Sequence, residues 1–350
     1  MVSMISTVQK NEILDDASYL AHRYDEVNDA FRFLSVPRDV HRQCTFITDE
    51  HLPNIEQYQT IRGSEVTQAS PPTAPIHFIF HSAYCCSTML ARAFDIEGVS
   101  MGLKEPVVLN DMIGWRRRGA DAARQREVID QSLTLLSRPF GEDRAVIIKP
   151  SNICNPLAIE MLKMRPDAKA LLLYAPIEGF LKSIAKKEMW GRIWVRDVLI
   201  GTLKDGYAIG GFSQDELLQL TDLQVAAIGW LSQHALFAKI INEVGPDRVK
   251  TLDSDTFLAQ SPATITALSD LYGLGMNEAQ IKAVIDGPAF TSHSKLDQAK
   301  EGEVFNASAR AEEQQQVEQV HGAEISMVAT WANAVAESQG IKMAIGSALT

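Results

Sequence analysis

Five short apolar runs, separated by stretches with helical spacing, constrain this chain more than any other feature. They are Pro75 to Phe80, Val99 to Leu103, Ala145 to Ile148, Ala168 to Leu173 and Val249 to Leu252. Short, mostly apolar runs of this kind suit strands buried on both faces. Helical patterns fill the gaps: Met89 to Phe94, Val128 to Leu136, Leu157 to Leu162 and Leu223 to Ile241. Strand and helix in alternation predict an α/β fold, a three-layer α/β/α arrangement around a parallel sheet. Ligands of such sheets bind outside the carboxyl ends of the strands. The residues that close each run are therefore the ones to inspect.

At the first strand end stands His81-Ser82-Ala83-Tyr84-Cys85-Cys86-Ser87-Thr88, followed by the helical run Met89 to Phe94. Strand, loop of mostly small residues, Ser-Thr and helix is the layout of a phosphate-binding loop, in which main-chain amides and hydroxyls face an anion. The nucleotide-hydrolase form of that loop carries a lysine where this chain has Ser87, which counts against ATP or GTP hydrolysis and suits a shorter anion. The next strand end is Lys104-Glu105-Pro106, and the third is Lys149-Pro150-Ser151-Asn152. The fourth, Tyr174-Ala175-Pro176, leads into a helix bearing Lys182, Ser183, Lys186 and Lys187. In a chain of 350 residues with net charge −11, lysines gathered at one sheet edge point to a polyanionic ligand.

The same charge argues against general nucleic-acid binding. No run of about 20 apolar residues predicts a membrane span, and the N-terminus has no secretory pattern. The four cysteines, Cys44, Cys85, Cys86 and Cys154, lack zinc spacing, and adjacent Cys85 and Cys86 would close only a strained disulfide. A reducing cytoplasm and no metal are expected. Residues 1–72 read as a mainly helical extension, with a helix through Tyr19, Leu20 and Tyr24, and with Arg62 to Pro75 as a linker. Residues 73–300 form the α/β domain, and residues 301–350 a helical extension with a helix near Ile325 to Ala336.

The ordered set of strand ends resembles the sulfotransferase family, P-loop-like α/β enzymes that use 3′-phosphoadenosine 5′-phosphosulfate (PAPS) and release its desulfated form, PAP. Phe78 to Ala93 is similar to the family's 5′-phosphosulfate loop. Ile147 to Ser151 resembles its strand-lysine segment, and Ala168 to Pro176 with Ser183 its 3′-phosphate segment. Arg248 to Asp255, Leu271 to Leu274 and Ser292 to Lys295 resemble later landmarks, so the likeness runs from Pro75 to Lys295. Tyr84 and Tyr174 stand where the family usually has basic residues, and Ser151 stands where some members have a histidine. Ser183 lies one residue farther from its turn than the family's serine.

The resemblance implies a cofactor site of Tyr84, Cys85, Cys86, Ser87 and Thr88 for the 5′ end and of Lys182 and Ser183 for the 3′-phosphate. Ser294 and Lys295 would close over the nucleotide. It makes Glu105 the preferred general base, with His81 as alternative, and Lys149 the cation on the sulfonate side. The acceptor would be a hydroxyl or amine of a small molecule or peptide; homo-oligomerisation is left open. A non-catalytic nucleotide-binding or scaffold protein, and a P-loop kinase, are the rival readings.

Overall fold

The computed structural model describes residues 7–291 and 307–350, with the side chains of 307–314 left aside. The chain opens with α1 (Thr7–Asp15), then β1 (Tyr19–Asp25) and β2 (Ala30–Ser35), α2 (Arg38–Gln43), β3 (Tyr58–Arg62) and α3 (Gly63–Ala69). The three strands form an antiparallel sheet in the order β1-β2-β3. This corrects the expectation of a mainly helical N-terminus. Tyr19, Leu20 and Tyr24 lie on a strand, and a register shift at His22 breaks the alternation that would have revealed it. The supposed linker after Arg62 contains α3, whose start is fixed by the Arg62 amide donating to the Glu65 carboxylate.

Nor is this segment appended to the rest. Leu20, Phe31 and Phe33 share one buried cluster with Phe78, Phe80 and Val128. Buried Arg138 donates to the carbonyls of Ile13, Leu14, Asp16, Tyr19 and Leu135, tying the α1–β1 junction to the larger domain. Arg23 closes a two-nitrogen pair on Asp111.

The α/β part runs β4 (Ile76–His81), α4 (Ser87–Ala93), β5 (Ser100–Lys104), α5 (Val107–Arg117), α6 (Ala122–Leu136) and β6 (Ala145–Lys149). A 3₁₀ turn (Asn152–Leu157) precedes α7 (Ala158–Met164) and β7 (Ala170–Tyr174). Next come α8 (Ile177–Lys186), α9 (Glu188–Lys204), α10 (Gln214–Gln219), α11 (Asp222–Val244) and β8 (Val249–Asp253). The chain ends with α12 (Ser254–Ala259), α13 (Ser261–Leu271), α14 (Glu278–Ile285), α15 (Pro288–Thr291) and α16 (Ala307–Gln339).

The five strands pair in parallel in the order β5-β6-β4-β7-β8. All five apolar runs are strands, and the expected α/β class with a parallel sheet is what the chain adopts. Alternate residues serve two cores: Phe78, Phe80, Ile148 and Leu172 pack on one face, Ile79, Ile147, Leu171 and Leu173 on the other. β4 is central. The chain moves from it to β5 on one side and crosses later from β6 to β7 on the other, so the order reverses around β4 and opens a crevice at its carboxyl end. The C-terminal residues finish the far edge: Thr251 donates to the Ser347 carbonyl, and Leu349 donates back to the Thr251 carbonyl.

Candidate active site

The loop between β4 and α4 carries three non-glycine residues in the left-handed region, Ala83 (φ 71°), Tyr84 (φ 52°) and Cys86 (φ 63°). Short bonds hold this shape. The Ala83 amide donates to His81 Nδ1 at 3.1 Å. The ring proton is thereby assigned to Nε2, which faces the Pro150 carbonyl at 3.1 Å. Asn155 donates to the His81 carbonyl, and the Ala175 amide donates to Ser82 Oγ. Both nitrogens of His81 are engaged by main chain, so in this arrangement it positions the loop.

Ser87 and Thr88 are the first two residues of α4, where amides lack partners within the helix. With seven residues, α4 adds little macrodipole; an anion here would rest on loop amides and hydroxyls. Cys85 is buried, its thiol facing the Leu173 carbonyl, and burial pushes it up to about 12, which makes it a poor nucleophile. Tyr84 turns its ring toward Phe180 and Trp194, at 6.1 and 5.4 Å between centroids. Burial raises its phenol to about 12.

At the neighbouring strand ends Lys149 and Glu105 form an ion pair. The Lys149 side chain is 1 % exposed and that of Glu105 17 %, so the carboxylate is the half that meets solvent. The Lys149 ammonium also lies 5.0 Å from the centroid of the Phe46 ring. Glu105 sits at φ 55° immediately before Pro106, a position that disfavours helical backbone, and its amide donates to the Lys149 carbonyl at 2.7 Å. Glu105 Oε1 lies 3.8 Å from His81 Nε2. Lys149, Glu105 and His81 thus come together beside the loop, as their strand-end positions predict.

Lys104 leaves the same strand on the other side. Its ammonium donates to the His41 and Cys44 carbonyls at 2.5 Å, and burial pushes it down to about 8. It closes the end of α2 and takes no part in the Lys149–Glu105 pair.

The 3′-phosphate set is assembled differently from the expectation. Lys182 pairs with Glu318 of α16 at 2.7 Å, and Ser183 Oγ donates to the Gly179 carbonyl within its own helix. Arg192 faces Asp222 and Glu324. Tyr174 packs edge-on against His234 at 4.9 Å. His293, Ser294 and Lys295 lie outside the described residues. Trp230 is buried with its indole nitrogen on the Ala175 carbonyl, while Trp190 and Trp194 stack on each other.

Three contributors escape sequence reading. Phe46 comes from a loop with no motif. Asn155 and Gln233, bonded to each other at 2.6 Å, brace the loop through the His81 carbonyl. The only hint is the pair of asparagines after Ser151. A cavity of 670 Å³ lies at the opposite end of the sheet around Ile76, Asp130 and Arg165, away from this chemistry. A cavity of 10 Å³ lined by Ser82, Asn152, Trp194 and Trp230 borders the loop and has room for about one water. Among the described residues no His, Cys, Asp and Glu group could hold a metal ion, and no helix is long and apolar enough to cross a membrane.

No protein-family model and no curated protein matches this chain. Among solved structures, the chain is similar to the sulfotransferase domain from the curacin biosynthetic pathway, with 11 % identity and a TM-score of 0.42, over 72 % of this chain and 98 % of that one. A sulfotransferase from Mycobacterium avium matches with 10 % identity and a TM-score of 0.42, over 75 % and 79 %. One from Alicyclobacillus acidocaldarius matches with 14 % identity and a TM-score of 0.34, over 61 % and 96 %.

Proposed function

We propose that this chain is a sulfuryl transferase that takes its sulfuryl group from PAPS and passes it to a hydroxyl or amine. The observation that carries the reading is the Lys149–Glu105 pair at the lip of the Ala83–Cys86 loop: a buried cation and a solvent-facing carboxylate beside a fixed row of main-chain amides. Bound PAPS would supply an activated sulfuryl group whose bond to the 5′-phosphate breaks as the acceptor atom bonds to sulfur. The loop amides and the Ser87 and Thr88 hydroxyls would hold the phosphosulfate end. Lys149 keeps positive charge at the transferring oxygens, where preorganised charge has its largest effect. Glu105 takes the acceptor proton; Lys149 fixes Oε1, and Oε2 has no hydrogen-bond partner among the described residues.

The residues fit the sulfate end better than the nucleotide end. For Lys182 to meet a 3′-phosphate, Glu318 must release it. That pair favours a second reading, a scaffold protein on the same fold.

Calorimetry with PAP, followed by transfer assays with PAPS on Glu105→Gln, separates the readings. The expected result is PAP binding in both proteins and loss of sulfated product by about 10²-fold or more in the variant. No heat with millimolar PAP defeats the nucleotide site. Equal product from both proteins defeats Glu105 as base.

A further inference from the structure

Helix α9 carries a solvent face that belongs to neither core. Met189, Trp190, Ile193, Ile200 and Leu203 are each 47–68 % exposed, whereas Val195 and Leu199 of the same helix are buried. Residues on an α-helix advance by about 100° each, so positions equally far from the midpoint between 196 and 197 lie at equal angles on either side of one direction. That direction runs through the middle of this face. Ile193 and Ile200 sit about 10° to either side of it, Met189 and Lys204 about 30°, Arg196 and Asp197 about 50°, and Trp190 and Leu203 about 70°.

We infer that α9 is the core of a two-fold symmetric dimer of this chain, with the axis along that direction and the two copies of α9 antiparallel. A two-fold contact must be self-complementary, and this face is. Ile193 of each copy meets Ile200 of the other, and Trp190 meets Leu203. Arg196 meets Asp197 twice, so opposite charges fall opposite each other on both sides of the axis. Met189 lies along the aliphatic stem of Lys204. Arg196 already holds Asp222 and the Leu220 carbonyl through Nε and one Nη nitrogen, which fixes its side chain in place. Asp197 is exposed and has no partner among the described residues.

Glu324 of α16 lies 3.9 Å from Arg192 of α9, and Val320 and Met327 of α16 are exposed on either side of Glu324. A 17-residue helix is about 25 Å long. An ordinary stable interface buries roughly 800 Å² per partner, and α9 would supply its central strip. The net charge of −11 works against an anionic lipid surface as the occupant.

Sedimentation equilibrium on the full chain tests this. The expected wild-type result is a particle of twice the chain mass. Asp197→Arg and Arg196→Asp each place like charges across the axis, so each alone should weaken the dimer by about tenfold or more. An equimolar mixture of the two variants should restore wild-type association as a heterodimer. Arg196→Asp also breaks the pair with Asp222; Ile193→Glu, which removes no intrachain bond, should give a monomer with an unchanged circular dichroism spectrum. A wild-type monomer overturns the inference, whether or not it floats with neutral vesicles. So does a dimer that survives Ile193→Glu, or a mixture that fails to reassociate.

Discussion

Acidification should unfold this protein through its buried histidines. His41, His77 and His234 are buried, and burial holds their imidazoles down to about 3, 4 and 3, from an ordinary 6.5. Lys104 and Arg38 add to the effect at His41, and Lys169 at His77. In the folded chain all three stay neutral at pH 5, while in the unfolded chain they take up protons below 6.5. Their contribution is therefore complete above pH 6.5 and is lost as pH falls toward 3 to 4. At pH 5 the difference is 1.5 units per histidine, about 2 kcal/mol each and about 6 kcal/mol for the three. Against a total stability of roughly 5–15 kcal/mol, that is a large share. Buried Asp143, whose carboxyl burial raises, opposes the trend.

His41 isolates the effect. Among the described residues neither ring nitrogen has a hydrogen-bond partner, and the ring meets Phe140 edge-on at 5.3 Å. His41→Leu should be tolerated at pH 7 and should cut the loss between pH 7 and pH 5 by about 2 kcal/mol. Urea unfolding of both proteins at the two pH values measures it. Equal losses in wild type and variant would refute the argument.

Two further substitutions test how the site is supported. Gly102→Ala would drive a Cβ into the Ala91 carbonyl of α4 and should cost about 1–3 kcal/mol in thermal unfolding, because backbone must move; an unchanged midpoint would mean that α4 does not lie that close to β5. Arg138→Met should cost about 3–5 kcal/mol by denaturant unfolding, with amide exchange accelerated first at residues 13–19, whose carbonyls lose their donor; uniform acceleration would show that the guanidinium does not anchor that segment.

What the sequence reveals follows from burial. Strands covered on both faces are rich in apolar residues, so β4 to β8 are legible as runs, and so are the charged residues that end several of them. Lys149 and Glu105 are found for that reason. The N-terminal sheet hides because YLAHRYD and AFRFLS mix charge with apolar residues, and the shift at His22 disrupts their period. A usable signal lies between them: Asp25 accepts from the Val27 and Asn28 amides in an Asx turn, and Asp29 takes a left-handed φ. Lys182 misleads for another reason. Its partner Glu318 comes from far along the chain, and no local pattern announces a tertiary ion pair.

Of the nine non-glycine residues at positive φ among the described residues, four (Ala83, Tyr84, Cys86 and Glu105) stand at the carboxyl edge of the sheet. Each such residue costs on the order of 1–3 kcal/mol, and strain of this kind persists only where its surroundings enforce it. Glycine would hold the same shape without that cost. Ala83→Gly relieves about 1–2 kcal/mol of left-handed strain. It loses about 0.8 kcal/mol of methyl burial and 0.5–1 kcal/mol to the freer unfolded chain. The sum is near zero. Ala91→Gly, on buried helical backbone in α4, has the same losses without the relief and should cost about 1.5–2 kcal/mol. Urea midpoints of the two variants decide the matter. If Ala83→Gly costs as much as Ala91→Gly, the loop is not held in the left-handed region, and its amides are not fixed toward an anion in advance of binding.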